Sequence, residues 1–203
     1  GGRKGLTPNL DRLAREGLAF TQMYATGLRT VRGLEALSLS IPPTPGHAVL
    51  MRKDNTRFQT LGSVFKEKGY EPLYIYGGYS VFDNMRSFFG GNGYTVIDRT
   101  AVARDKVSHE TIWGVADEDI FRHALDEIDT RAASGRKVFA HIMTTSNHRP
   151  FTYPKGRIDI PSGASREGAV KYTDWAIGEL MREAANRPWF KETLFVLIAD
   201  HTS

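Results

Sequence analysis

The chain has 203 residues, 40% of them hydrophobic and 25% charged, with a formal net charge of +4; this is enough for one domain with a real core. It has no cysteine, which excludes a disulfide scaffold and a thiolate metal site. The basic residues are dispersed, without a Lys/Arg block interleaved with aromatics, so an anionic phosphate is expected as a partner and nucleic acid is not.

In chain order, Thr7-Pro8-Asn9 followed by Leu10, Leu13 and Ala14 opens a helix with an N1 proline, closed at Gly17. Residues 18–24 alternate as a strand. Residues 31–39, apolar at 31, 34, 37 and 39, read as the first turns of a buried helix. The prolines of residues 41–46 stop that helix and begin a loop running to about residue 57. Then follow a short helix over 60–68, a strand over 72–76, Gly77-Gly78, an amphipathic helix over 82–89 and a strand over 94–98. Residues 117–131 form a helix with Ile120, Phe121, Ala124, Leu125 and Ile128 on one face, and 137–143 an apolar strand. A polar loop over 144–166, a helix over 165–185 and an apolar strand over 193–199 complete the chain. Strands alternating with helices, several of them apolar throughout, imply an α/β fold whose parallel sheet is covered on both faces. No apolar run reaches the length of a membrane span.

Ligands in such sheets bind beyond the carboxyl ends of the strands, where four polar clusters fall. Thr30 lies between Arg29 and Arg32 in GLRTVRGLEAL, at or near a helix N-terminus. There it either caps the helix or belongs to a phosphate or sulfate site built on free amides. The second cluster follows residue 76 and includes Asp83 and Asn84, which either open a helix or bind substrate. The third is Thr144–Arg149 with His148 beside Asn147 and Arg149, a mixture able to bind and protonate an oxyanion. The fourth, Asp200-His201, offers a carboxylate and an imidazole suited to manganese or zinc, and to magnesium if water completes the shell. His141, inside an apolar strand, reads as a core histidine.

With these clusters in order, the chain resembles the lipoteichoic acid synthase-like phosphoglycerol transferases of the sulfatase/alkaline phosphatase superfamily, in their Gram-negative form. The matching segments are LTPNLDRLAREG, GLRTVRGLEAL, YGGYSVFDNMRSFFGGNGY, WGVADEDIF, TTSNHRPFTYP, REGAVKYTDWAIG and LFVLIADH. The resemblance implies that residues 1–203 are part of an extracytoplasmic, periplasmic catalytic domain on the inner membrane. The first strand, the C-terminal part and an N-terminal transmembrane region would lie outside the chain, leaving the piece itself inactive. It further implies Thr30 as nucleophile and metal ligand, Asp200 and His201 as metal ligands, and His148 as the contact to the phosphate and leaving group. Arg29, Arg32, Asp83, Asn84 and Arg149 would bind substrate. The family's fourth metal ligand is a glutamate upstream of Leu6, to which no residue here corresponds. The cofactor would be one divalent ion, manganese first, magnesium or zinc otherwise. The implied reaction moves a phosphoglycerol-type headgroup from an anionic phospholipid to a glycan or lipid acceptor through a phospho-threonine. The alternatives are a phosphoethanolamine transferase, a sulfatase-like hydrolase or a non-catalytic domain that binds anionic headgroups. Phe82-Asp83-Asn84 departs from the Trp-Asn-Arg type segment that grips glycerol phosphate in Gram-positive relatives, and Thr30 lacks the proline two residues on that marks true sulfatases.

Overall fold

A computed structural model describes residues 5–202. Helix α1 (Pro8–Glu16) starts after Thr7 with proline at its first position, yet the Thr7 side chain does not cap it. Its free amides go instead to a distant carboxylate: Asn9 N and Leu10 N donate to Asp174 at 3.0 and 2.8 Å. That pairing satisfies groups every helix start leaves open and fixes the chain's beginning onto a later helix.

Helix α2 (Thr30–Leu39) and α3 (Leu61–Glu67) precede the first strand, and α3 opens on a reciprocal cap between Thr60 and Ser63. Strand β1 (Tyr70–Tyr76) leads through Gly77-Gly78 to α4 (Met85–Gly91), β2 (Thr95–Ile97) and a small hairpin, β3 (Glu110–Thr111) with β4 (Gly114–Val115). Helix α5 (Asp117–Ala133), β5 (Lys137–Met143) and α6 (Arg166–Ala184) follow, the last capped by Ser165 at the amide of Gly168.

The sheet has the order β2-β1-β5, all parallel, with Leu73 opposite Thr95 on one side and Ala140 on the other. Central β1 is buried on both faces, as a strand between two helical layers must be. Leu73 and Ile75 pack with Ile120 and Leu125 of α5 and Ile177 and Leu180 of α6. Tyr74 and Tyr76 pack on the other face with Leu34 of α2 and Met85, Phe88 and Phe89 of α4. Ile75 is fully buried, and truncating such a side chain to alanine costs about 2–5 kcal/mol.

Two expected strands do not join this sheet. Residues 18–24 and 193–199 carry no ladder assignment, and Leu18, Phe20, Tyr24, Leu194 and Val196 are each more than 70% exposed. An apolar or alternating run pairs only where a neighbouring strand offers free backbone groups. The described residues set none beside either segment. The expected helix over 82–89 is also divided. Asp83 and Asn84 take left-handed conformations (φ 49° and 60°), so a short turn over Phe82–Asn84 kinks into α4.

Candidate active site

Thr30 is the first residue of α2, and the residue before it, Arg29, is the extended N-cap and supplies no side-chain cap. The capping role open to Thr30 is therefore not the one it takes. It sits inside the first turn of a terminus whose amides lack a capping side chain, where the dipole favours an anion.

The two arginines diverge. Arg29 is exposed, its guanidinium 3.8 Å from the Asp83 carboxylate. Arg32 turns inward: it pairs with fully buried Glu35 at 2.6 Å and donates to the carbonyls of Thr44 and Gly46. Glu35 also accepts from Val49 N at 2.6 Å. Arg32 and Glu35 thus hold the 44–49 loop onto α2, which occupies the Arg32 guanidinium internally. Asn84 likewise serves the scaffold, donating to the Leu50 carbonyl at 3.0 Å. Asp83 is nearly buried, its side chain 10% exposed.

Asp200 approaches α2 closely. A β-carbon on Gly33 would lie 2.0 Å from the Asp200 carbonyl oxygen. Gly33 is three residues beyond Thr30, on the same face of the helix, so Asp200 stands beside the terminus that carries the hydroxyl. His201 Nδ1 lies 2.6 Å from the Thr202 carbonyl oxygen. Nδ1 is then the protonated nitrogen, which leaves the Nε2 lone pair free for a cation. Nε2 is 3.6 Å from Asp200 Oδ2. One carboxylate and one imidazole this close fit a divalent ion of borderline hardness. Among the described residues no cluster of three or more acidic or histidine side chains forms a closed metal site.

His148 enters from the loop after β5. Buried Asp117, at the start of α5, shapes that loop: its carboxylate accepts from Thr145 N, Ser146 N and the Thr173 hydroxyl. Burial lowers the His148 pKa, against the opposing pull of Asp200; His201 lowers it further and Asp117 raises it. Burial pushes Tyr76 up to about 12, with Asp83 and Asp200 adding to the rise. Asp83, Asp200, His201 and His148 therefore share one electrostatic neighbourhood at the carboxyl end of β1 and β5. Arg149 is exposed, and its carbonyl accepts from the Trp113 indole at 2.7 Å.

Trp113 is the site residue that sequence reasoning missed. It tips the β3–β4 hairpin and stacks on the His148 ring at 4.3 Å between centroids and 17° between planes. Its sequence signals are its place at the head of WGVADEDIF and the pair Gly77-Gly78. A β-carbon on Gly78 would meet the Trp113 carbonyl at 2.4 Å, and one on Gly114 (φ 140°) would meet the Gly77 carbonyl at 2.2 Å.

The Sulfatase family matches the chain over residues 1–203. Phosphoglycerol transferase I of Xanthomonas campestris pv. campestris (strain B100) is 27% identical over 213 residues, covering 97% of this chain and 30% of the relative. The protein of that name from Salmonella paratyphi B is 26% identical, with 97% and 28% covered. The chain thus spans less than a third of the length of these relatives. A crystal structure from Vibrio parahaemolyticus, described as a protein in the alkaline phosphatase superfamily, is 40% identical with a TM-score of 0.85, over 91% of this chain and 46% of that one. The lipoteichoic acid synthase LtaP from Listeria monocytogenes shares the fold at 21% identity, with a TM-score of 0.78 over 89% of this chain and 46% of that one. With the match running along its whole length, this chain belongs to the sulfatase family.

Proposed function

We propose that the protein moves a phosphoglycerol-type headgroup from an anionic phospholipid to a glycan or lipid acceptor through a phospho-Thr30 intermediate. The observation that carries this is the Asp200 main chain pressed against Gly33, on the Thr30 face of a helix terminus without a side-chain cap. The relatives named phosphoglycerol transferase I support the choice of headgroup.

In the first step Thr30 Oγ gives up its proton to solvent and attacks the headgroup phosphorus, a P–O bond to Thr30 forms, and the P–O bond to the diglyceride breaks. The α2 amides and exposed Arg29 stabilise charge on the phosphoryl oxygens. His148 gives the departing oxygen its proton. In the second step an acceptor hydroxyl gives its proton to the now neutral His148 and attacks phospho-Thr30, a P–O bond to the acceptor forms, the bond to Thr30 breaks, and Thr30 Oγ regains a proton from solvent. Asp200, His201 and Thr30 would hold the divalent ion, manganese first, which when bound supplies Lewis acidity that lowers the pKa of the threonine hydroxyl. Asp83, opposite Arg29, is placed to accept from headgroup hydroxyls, and Arg149 extends the binding surface. The donor is a membrane lipid, and placement at the periplasmic face of the inner membrane is part of this reading. Among the described residues no helix is long and apolar enough to cross a membrane.

The test is headgroup release from labelled phosphatidylglycerol in detergent with manganese, using the full-length protein and its Thr30→Ala and Thr30→Ser variants. Alanine is expected to abolish release and the covalent label on Thr30, and serine to keep a little of both. Undiminished turnover by the alanine variant would refute the nucleophile. A preference for phosphatidylethanolamine as donor would redirect the headgroup assignment.

A further inference from the structure

The hairpin β3–β4 turns on two apolar residues that meet different fates. Ile112 is 86% exposed, whereas Trp113 is folded back over the site. The Trp113 amide donates to Thr111 Oγ1 at 3.1 Å, and two residues on Val115 N ties the hairpin to the Gly77 carbonyl at 3.0 Å. The indole N–H is fixed on the Arg149 carbonyl, the residue after His148. One indole face lies on the His148 imidazole, and the Phe82 ring meets the indole at 6.1 Å and 84°. Trp113 is thus anchored on the exit of β1 and bridges the two loops that carry Asp83 and His148.

His148 sits on a loop, and proton transfer to a leaving oxygen demands a fixed ring. The bonds of Asp117 fix the backbone at Thr145 and Ser146 and leave the His148 ring to be oriented by other contacts. We propose that Trp113 is a positioning residue that sets the plane of the His148 imidazole by stacking on it from outside its own loop. The proposal rests on the reading of His148 as the proton donor to the departing oxygen.

The test uses the full-length protein with Trp113→Leu, Trp113→Phe and His148→Gln, and two donors. One is phosphatidylglycerol, and the other is a glycerol phosphate ester of p-nitrophenol, whose leaving group departs without a proton. With the lipid, Trp113→Leu is expected to lose about 100-fold in kcat with KM little changed. Trp113→Phe, which keeps a stacking face, should retain most of kcat. With the nitrophenyl ester, the losses of Trp113→Leu and His148→Gln should both shrink, and by a similar factor. A residue that merely filled space would not separate leucine from phenylalanine, nor one donor from the other. Recovery of His148→Gln without recovery of Trp113→Leu overturns the proposal, as does wild-type lipid turnover by Trp113→Leu beside an impaired His148→Gln. A His148→Gln defect that persists undiminished on the nitrophenyl ester, or no defect at all, removes the reading of His148 itself. Circular dichroism of each variant verifies folding, and Trp113→Met replaces the leucine variant if that one does not fold.

Discussion

The main chain of Asp200 lies against Gly33 of α2 at a separation that no side chain on Gly33 would permit. This contact brings the end of the chain to the face of α2 that begins with Thr30. Gly33→Ala should improve the intrinsic helix propensity of α2 by about 1 kcal/mol, so a helix-only view predicts a benign change. The expected result is the opposite for function. The Asp200 carbonyl must retreat, and manganese-stimulated turnover should fall about tenfold or more with the circular dichroism spectrum unchanged. Calorimetric titration with manganese checks the cause, because affinity should drop in parallel. Unaltered affinity and turnover would mean that the placement of Asp200 is not critical.

Arg29 and Arg32 flank Thr30 in sequence but should respond differently to truncation. Arg32→Ala strands the buried Glu35 carboxylate and loosens the 44–49 loop; removing one partner of a buried pair costs about 3–5 kcal/mol. Its signature is a lower melting temperature. Arg29 is exposed and makes one long contact to Asp83, so Arg29→Ala should leave melting within a degree or two, about 0.5 kcal/mol, and reduce kcat/KM for anionic donors. Thermal melts and kinetics on both variants distinguish the roles, and an Arg32→Ala protein as stable as wild type would contradict this division.

Asp117 should link stability and activity. Asp117→Ala leaves the amides of Thr145 and Ser146 without their acceptor, at about 1–3 kcal/mol for each unsatisfied buried group, and frees the loop carrying His148. Asp117→Asn keeps a carbonyl oxygen for those amides and should lose less of both. Denaturant unfolding with parallel kinetics measures the two. Equal behaviour of alanine and asparagine would show that these bonds do not organise the loop.

Much of the scaffold is legible in the chain because its signals are local. The run Lys137–Met143 reads as an apolar strand and is one, with the bounds read from sequence, though its side chains are half-buried. Helices α5 and α6 follow from their apolar spacing and, for α6, from Ser165 as a cap. Residues 18–24 and 193–199 show why the rest is not. Their patterns state a capacity to pair, but a strand is completed by a partner, and pairing is not encoded in the segment itself. The direction of Arg32 was equally hidden, since an arginine in a first helical turn can face water or the interior. The clue is Glu35, an acid three residues on among apolar positions, which needs a buried cation. Trp113 has no periodic pattern around it and is placed by the close approach of its hairpin to Gly77-Gly78.

His141 gives a prediction for stability against pH. Its ring packs edge-on against Tyr74 and Phe89, at 5.3 and 5.5 Å between centroids, and burial pushes its pKa from 6.5 down to about 4. A base depressed in the folded state is protonated first in the unfolded chain. Stability is therefore full above about pH 6.5, falls as the pH drops from there towards about 4, and loses nothing more from this group below that. A shift of this size corresponds to at most about 3–4 kcal/mol, and the half-buried ring realises only part of it. Asp98 acts in a different window: burial raises its pKa, but hydrogen bonds from Ser80 and Thr100 outweigh that and hold it below its usual 3.8, so its contribution is lost only at lower pH. Denaturant unfolding from pH 4 to 7 on wild type and on His141→Phe, which keeps an aromatic ring between Tyr74 and Phe89, isolates the histidine by difference. The two stability curves should keep a constant offset above about pH 6.5 and diverge as the pH falls towards 4, wild type losing stability relative to His141→Phe. Parallel curves would mean that the His141 ring takes up its proton in the folded protein as readily as in the unfolded one, and that its place in the core is wetter than its packing indicates.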